Sequence, residues 1–103
     1  MSFIGRRRDR PSEVPPYLIV HLRSFDVSVT TTPQPIRTSK TVSSGAVLLA
    51  DALNTDTIYV GDSDGQTFPL EAGASMISLV YDLQVIYVRA ASGTQTLHVA
   101  YEV

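Results

Sequence analysis

The stretch "VGDSDGQTFPLE" has the residue types for chemistry, because its two carboxylates and a glycine are spaced almost as in a calcium-binding loop. If Asp62 and Asp64 occupy the third and fifth positions of such a loop, Gly65 falls at the sixth and Glu71 at the twelfth. The first position is then Val60, whose side chain has no ligand atom, and the flanks predict strands rather than helices. We therefore interpret this stretch as a polar hairpin loop in which the Asp side chains accept backbone hydrogen bonds.

The other residues that could do chemistry do not form a recognisable motif. His21 and His98 fall on different predicted strands with no His or Cys nearby, whereas a zinc site needs three or four clustered ligands. We predict that His98 is a solvated surface residue and that His21 is a hydrogen-bonded interface residue. The chain has no cysteine and no G-x-S-x-G motif, and its only close carboxylate pair lies on an exposed loop. We predict a protein that is not an enzyme and has no cofactor, metal or catalytic residue.

Basic residues are concentrated at the start of the chain. Arg6, Arg7, Arg8 and Arg10 give residues 1–16 a net charge of +2, whereas residues 17–103 carry four basic and eight acidic residues, net −4. The acidic body is a poor candidate for nucleic-acid binding, which rests on neutralising several phosphates. We predict that the basic segment docks on an acidic protein surface.

The elements that position these residues divide the chain into an arm and a body. Three prolines in residues 11–16 oppose helix formation, so residues 1–16 are predicted to form an extended N-terminal arm. Residues 17–103 are predicted to form a single domain with one core. No apolar run reaches the length that would span a bilayer.

Strand patterns fill the body. "YLIVHL" is apolar on both faces, and "FDVSVTTT" alternates as a half-buried strand does. "GAVLLADAL" is ambiguous, because Ala and Leu also suit a helix; we favour a strand followed by a turn. "PQPIRTSK" is interpreted as a loop, and the hairpin turn is placed at Asp64–Gly65.

The C-terminal half completes the pattern. A turn at Gly73 precedes another strand in "LEAGASMISLV". "LQVIYVRA" and "TQTLHVAYEV" are the strongest strands, joined at Ser92–Gly93. In the last strand the inward residues are predicted to be Leu97, Val99, Tyr101 and Val103. Seven or eight short strands with regular turns predict an all-β fold, an antiparallel β-sandwich or a jelly-roll-like barrel.

The five tyrosines lie in or beside the predicted strands. Their amphipathic rings suit a sugar-binding surface, with Tyr59 and Tyr87 as the exposed candidates, but such rings more often fill the core rim or a subunit interface. We favour the structural interpretation.

From about Val42 to Val103 the chain resembles a family of small virion proteins of tailed bacteriophages. The similarity lies in "IYVGDSD", in "TFPLEAG" followed by "SMISL", and in "LQVIYVRAASGTQTLHVAYEV". The resemblance implies a small β-sandwich structural protein of the particle, without catalytic residues or cofactors.

The resemblance and the basic arm together predict a capsid decoration, or cement, protein. Such a protein would sit on the outer head as a homotrimer and fasten subunits of the major capsid protein. It would be localised in the virion and assembled in the host cytoplasm, without membrane contact. The alternatives are a tail or neck component and a carbohydrate-binding module for host adhesion. The residues predicted to bind the partner are Arg6, Arg7, Arg8, Arg10, Tyr17 and Ile19.

Overall fold

In the computed structural model of the protein, the residues described are 22–103, and they form two antiparallel sheets of four strands each. Sheet I has the order β1-β8-β3-β6 and sheet II the order β2-β7-β4-β5. The strands are β1 (Leu22–Val29), β2 (Gln34–Pro35), β3 (Gly45–Ala50), β4 (Ile58–Asp62), β5 (Gly65–Leu70), β6 (Ser75–Ser78), β7 (Tyr87–Ala90) and β8 (Gln95–Glu102).

The strand pairs are nested. β1 is hydrogen-bonded to β8, β2 to β7, β3 to β6 and β4 to β5, so each strand pairs with its counterpart counted from the other end of the described chain. Two further ladders, β3 with β8 and β4 with β7, join these pairs into the two sheets. The prediction of an all-β, antiparallel fold is confirmed.

The strands do not close into a barrel. β1 and β6 are the edges of sheet I, and β2 and β5 are the edges of sheet II. β2 is only two residues long and contains Pro35, which has no N–H to donate to a further strand. The barrel alternative of the sequence prediction is therefore wrong for the described residues, where the sheets remain separate.

The core lies between the sheets because each strand alternates its side chains. On β8, Leu97, Val99 and Tyr101 are buried, while the residues between them point to the outer face of sheet I. Leu48 on β3 and Val88 on β7 are completely buried in the same apolar cluster. The predicted inward face of the last strand is confirmed for these three β8 residues, but Val103 is 47% exposed, because it follows the last ladder pair.

Three local features differ from the predictions. The chain through "PQPIRTSK" contributes the short strand β2, which pairs with β7. The β4–β5 hairpin turns one residue earlier than predicted, since Asp62 pairs with Gly65. "LQVIYVRA" begins with a 3-10 turn, Leu83–Val85, before β7. The Asp82 side chain caps this turn by accepting a hydrogen bond from the Gln84 N–H, so the strand starts later than its apolar run.

The predicted turns at Gly73 and Ser92–Gly93 are confirmed. Gly73 has φ of 81° and Gly93 has φ of 61°, in the left-handed region that side chains with a Cβ rarely adopt. "GAVLLADAL" forms a strand followed by a turn, as favoured. Within residues 22–103 there is no α-helix, and no helix there is long and apolar enough to cross a membrane.

Side-chain hydrogen bonds fix the loop after β3 to the start of β8. The Asn54 side chain donates to the Thr96 carbonyl and accepts from the Thr96 N–H, both at 2.9 Å. Buried Gln95 accepts from the Thr55 N–H at 2.9 Å. The Asp51 carboxylate accepts from the Leu53 N–H at 2.7 Å. These bonds hold Asp51 at the outer face of sheet I.

Candidate interaction surface

The outer face of sheet I carries apolar side chains at one end. Leu22 on β1 is 72% exposed, Ile77 on β6 is 71% exposed, and Leu79 just after β6 is 81% exposed. Val47 on β3 lies between them, opposite Ile77 on one side and Ala100 on the other. Together with Glu102 they line a depression of about 290 Å³, called here the apolar groove: Leu22, Val47, Ile77, Leu79, Ala100 and Glu102. A cluster of exposed apolar side chains marks a contact surface.

The apolar groove arises because β3 is apolar on both faces. Its alternate residues Ala46, Leu48 and Ala50 enter the core, which leaves Val47 and Leu49 on the outer face. Outer faces of antiparallel sheets usually carry polar residues. The sequence analysis did not identify this surface. The sequence feature that could have indicated this surface is the lack of apolar–polar alternation in "AVLLA", part of the stretch interpreted as ambiguous between strand and helix.

A charged cluster occupies the other part of the same face. His98 on β8 lies opposite Asp26 on β1, and its Nδ1 is 2.7 Å from an oxygen of Asp26. The second ring nitrogen, Nε2, is 2.8 Å from a carboxylate oxygen of Asp51. We call His98, Asp26 and Asp51 the His98 cluster. It links β1, β8 and the loop after β3. His98 was predicted to be a solvated surface residue; its side chain is 37% exposed, and both ring nitrogens also have carboxylate partners.

The cluster favours a charged imidazole at His98 and a charged carboxylate at Asp51. Hydrogen bonds to Asp26 first, and then to Asp51, raise the pKa of His98 above its ordinary value of 6.5. The Leu53 N–H, followed by His98, lowers the pKa of Asp51 below 3.8. When the imidazole is protonated, both its N–H groups donate to carboxylates.

This geometry predicts a loss of stability above pH 6.5 that disappears in His98→Gln. Because its folded pKa is raised, His98 stabilises the protein fully below pH 6.5, and this contribution is lost as the pH rises through the folded pKa. Because its folded pKa is lowered, Asp51 stabilises the protein above pH 3.8 and loses that contribution as the pH falls through its folded pKa. The contribution of the cluster is therefore largest between these two values.

Thermal unfolding followed by circular dichroism between pH 4 and pH 9 measures this effect. Wild type should lose melting temperature above pH 6.5 more steeply than His98→Gln, by a few degrees at most, because the side chain of His98 is 37% exposed and solvent screens its ion pairs. Thr96→Ala, an outward position two residues earlier on the same strand, is the control. Parallel curves for wild type and His98→Gln would contradict the assignment.

The hairpin loop behaves as interpreted from the sequence. Asp62 accepts hydrogen bonds from the N–H groups of Asp64 and Gly65, at 2.9 and 3.3 Å, so its carboxylate completes the turn. Among residues 22–103 no group of three His, Cys, Asp or Glu side chains could hold a metal ion.

A second depression opens between the sheets, beside the edge strands β5 and β6. Its volume is about 460 Å³, and its walls include Leu48, Val60, Phe68, Met76 and Val85. Its polar side chains are Asp62 and Ser78 at the rim. The arrangement can accept an apolar side chain and has no pair of groups placed for acid–base chemistry.

The tyrosines divide between core and surface. Tyr101 is buried and meets Phe25 edge-on, with ring centroids 5.8 Å apart. The Arg89 guanidinium lies over one face of the half-buried Tyr59 ring, 4.5 Å from its centre. Tyr87 is half-buried on the neighbouring strand. Tyr81 is 66% exposed.

The residues predicted to bind a partner lie outside the described part of the chain. They are Arg6, Arg7, Arg8, Arg10, Tyr17 and Ile19, and His21 also lies outside it. The apolar groove starts at Leu22, the residue that follows this segment. Comparison with protein-family models, curated proteins and solved structures finds no match to the chain.

Proposed function

We propose that this protein is a structural subunit of a bacteriophage virion, a decoration protein that binds the outer head. The observation that carries the proposal is the nested pairing of the eight strands across two sheets. This pairing is what results when a long antiparallel hairpin is rolled up on itself, so we propose that the sandwich is a jelly roll. Jelly rolls of eight strands are the building units of many viral capsids. Lectin domains use eight-stranded jelly rolls too, so the choice between a capsid-binding and a sugar-binding protein rests on the surface residues.

The surface features favour a protein partner. Four exposed apolar residues on or next to sheet I line one groove rather than isolated positions: Leu22, Val47, Ile77 and Leu79. Tyr59, one of the two tyrosines considered for sugar binding, has the Arg89 guanidinium over one face of its ring. A sandwich with an apolar outer face gains stability when that face is buried against another subunit.

The proposed partner is the major capsid protein, and the proposed contact is the arm. Arginines form charge-assisted, often bidentate, hydrogen bonds with carboxylates, so Arg6, Arg7, Arg8 and Arg10 would bind acidic capsid surfaces. Tyr17 and Ile19 would add apolar contact next to them. In this arrangement the domain is a rigid body on the head and the arm fastens it, with three copies around a symmetry axis.

Deleting residues 2–16 tests the proposal. The truncated protein should bind undecorated phage heads at least about tenfold more weakly than the full chain, measured by co-sedimentation. Tenfold corresponds to about 1.4 kcal/mol, which four screened ion pairs of up to about 1 kcal/mol each can exceed.

A full-length variant with all four arm arginines changed to Gln separates the charge of the arm from its length. Unimpaired binding by the truncated protein would contradict the role of the arm. Failure of the full chain to bind heads would contradict the decoration function. Recovery of the protein with purified tails by mass spectrometry would indicate the tail or neck alternative.

A further inference from the structure

We propose that the outer edge of β6 is a strand-addition site, at which β6 pairs with an extended segment of a partner protein. The segment has apolar residues at alternate positions and lysine or arginine at its ends. β6 is an edge of sheet I, and within residues 22–103 no strand pairs with its outer side. An edge strand of this kind hydrogen-bonds an added strand through its unpaired N–H and C=O groups. The partner segment thus becomes a fifth strand of sheet I.

β6 differs from the other three edge strands because it has no residue that opposes pairing. Charged side chains and prolines on an edge strand hinder the addition of a further strand. β1 contains Arg23 and Asp26, β2 contains Pro35, and β5 contains Pro69. β6 has the sequence SMIS, and the first charged residue after it is Asp82. Among the edges of the described strands, β6 is therefore the one open to another chain.

The hydrogen bonds at the end of β3 show which of its residues bond to β6. The Ala50 N–H donates to the carbonyl of Ala74, just before β6. The next N–H, that of Asp51, donates to the carbonyl of Thr96 on β8. The backbone groups of successive residues point to opposite neighbours in an antiparallel sheet. The even-numbered residues of β3 therefore bond to β6, and the odd-numbered residues bond to β8.

This alternation identifies the backbone groups of β6 that an added strand would use. The even-numbered residues of β3 lie opposite Met76 and Ser78, so these two residues bond to β3. The N–H and C=O groups of Ser75 and Ile77 then point away from sheet I. The side chain of Ile77 is on the outer face, where it lines the apolar groove. An added strand would exchange its hydrogen bonds with Ser75 and Ile77.

A strand added to β6 also covers the depression between the sheets. Met76 and Ser78 line this depression from sheet I, and Phe68 on β5 lines it from sheet II. Directly opposed residues of an antiparallel pair point to the same face of the sheet. Residues of the added strand opposite Met76 and Ser78 therefore direct their side chains into the depression, whose volume is about 460 Å³. Its apolar walls favour apolar residues at these alternate positions.

Charge favours a basic segment over a second copy of this chain. Among the described residues, Asp62 is the charged residue that lines the depression between the sheets, and Glu102 is the one that lines the apolar groove. Residues 22–103 together carry a net charge of −4. Lysine or arginine at the ends of the partner segment would be attracted to these carboxylates. A second copy of β6 brings no basic residue and repeats both carboxylates.

Synthetic peptides test the proposal, because strand addition determines which amide groups of the added strand bind β6. The test peptide is a heptapeptide in which threonine and valine alternate between two terminal lysines. Its valines would enter the depression, so its threonines would exchange hydrogen bonds with Ser75 and Ile77. Two matched peptides have the same sequence and charge, but one is N-methylated at the threonines and the other at the valines. Binding to the full-length protein is measured by fluorescence anisotropy of labelled peptide.

We expect N-methylation of the threonines to weaken binding at least about tenfold and N-methylation of the valines to change it less than about threefold, because only the threonine N–H groups face β6. Equal affinities for the three peptides, or a larger loss on methylation of the valines, would overturn the proposal. Absence of binding by the test peptide up to about 1 mM would also overturn it.

Ile77→Pro tests the same contact from the side of the protein. It removes an N–H that points away from sheet I, so the ladder with β3 keeps its bonds and the melting temperature should stay close to that of wild type. We expect it to bind the test peptide at least about tenfold more weakly than Ile77→Thr, the matched control that keeps the N–H. If Ile77→Pro does not fold, the methylated peptides decide the question with the wild-type chain.

Sedimentation velocity of the full-length protein distinguishes a second copy from a partner segment. A dimer that forms in wild type and is lost in Ile77→Pro would overturn the proposal, because it assigns the edge of β6 to another copy of the chain. A monomer that binds the test peptide supports it. No phage heads are used, so failure here leaves the head-binding test unaffected.

Discussion

Gly61→Ala is expected to lower the free energy of unfolding by about 3 kcal/mol, the upper end of what forced insertion of atoms usually costs. A Cβ at this position would lie 1.9 Å from the backbone oxygen of Gly65 and 2.8 Å from the Cα of Gln66. Both atoms belong to the facing strand β5, at the point where the register shifts between Val60 and Gly61. The clash is with backbone, so it is relieved only by moving the two strands of the hairpin apart.

Gly65→Ala, in the same hairpin, is the matched control for Gly61→Ala. A Cβ at Gly65 has no heavy atom within 4 Å. Its φ is not among the positive values that disfavour alanine, so the change should leave stability within about 0.5 kcal/mol of wild type. Urea unfolding followed by circular dichroism measures both variants. A Gly61→Ala midpoint equal to that of Gly65→Ala would show that the hairpin does not have the close approach described.

Leu48→Ala is expected to destabilise the domain by about 3–5 kcal/mol. Leu48 is completely buried on β3, where it lies opposite Val99 on β8 and Met76 on β6. It also forms part of the wall of the depression between the sheets. Truncation would enlarge this depression. The two sheets cannot move together to fill it without breaking the hydrogen bonds between paired strands.

The neighbouring substitution Leu49→Ala provides the comparison. Leu49 is on the same strand but points to the outer face and is 39% exposed. Its truncation should cost less than about 1.5 kcal/mol, because part of its surface is in water in the folded state. Guanidinium unfolding with both variants checks the difference. Equal losses would mean that β3 does not direct Leu48 and Leu49 to opposite faces.

Each pair of substitutions compares a tightly packed position of the domain with a more exposed position nearby. Gly61 and Leu48 are expected to affect folding, whereas a role in association is proposed for the apolar groove and for the arm.

Much of the fold followed from local patterns. Alternation in "FDVSVTTT" and "TQTLHVAYEV" predicted the buried positions of β1 and β8, because a strand exposes successive side chains to opposite faces. Gly73 and Gly93 marked turns, because their backbone angles exclude most other residues. Asp62 was assigned to the hairpin loop from the same kind of short-range argument, and its hydrogen bonds agree.

Local patterns could not predict the candidate interaction surface, because its residues are brought together by the pairing register of the strands. Asp26 and His98 are 72 residues apart in sequence and lie side by side on the sheet. Val47 and Ile77 are neighbours for the same reason. Nothing in either local stretch specifies its partner, because a period of two defines a face without defining which strand lies next to it.

The sequence by itself determined that this is an acidic, all-β domain preceded by a basic segment, since composition and alternation are local properties of the chain. Only the tertiary structure decided that the strands nest as pairs, that His98 bridges two carboxylates, and that the apolar residues of β3 and β6 form one groove beginning at Leu22. The physical reason is that β-sheet hydrogen bonds join segments distant in sequence, and their order is set by packing two sheets around one core.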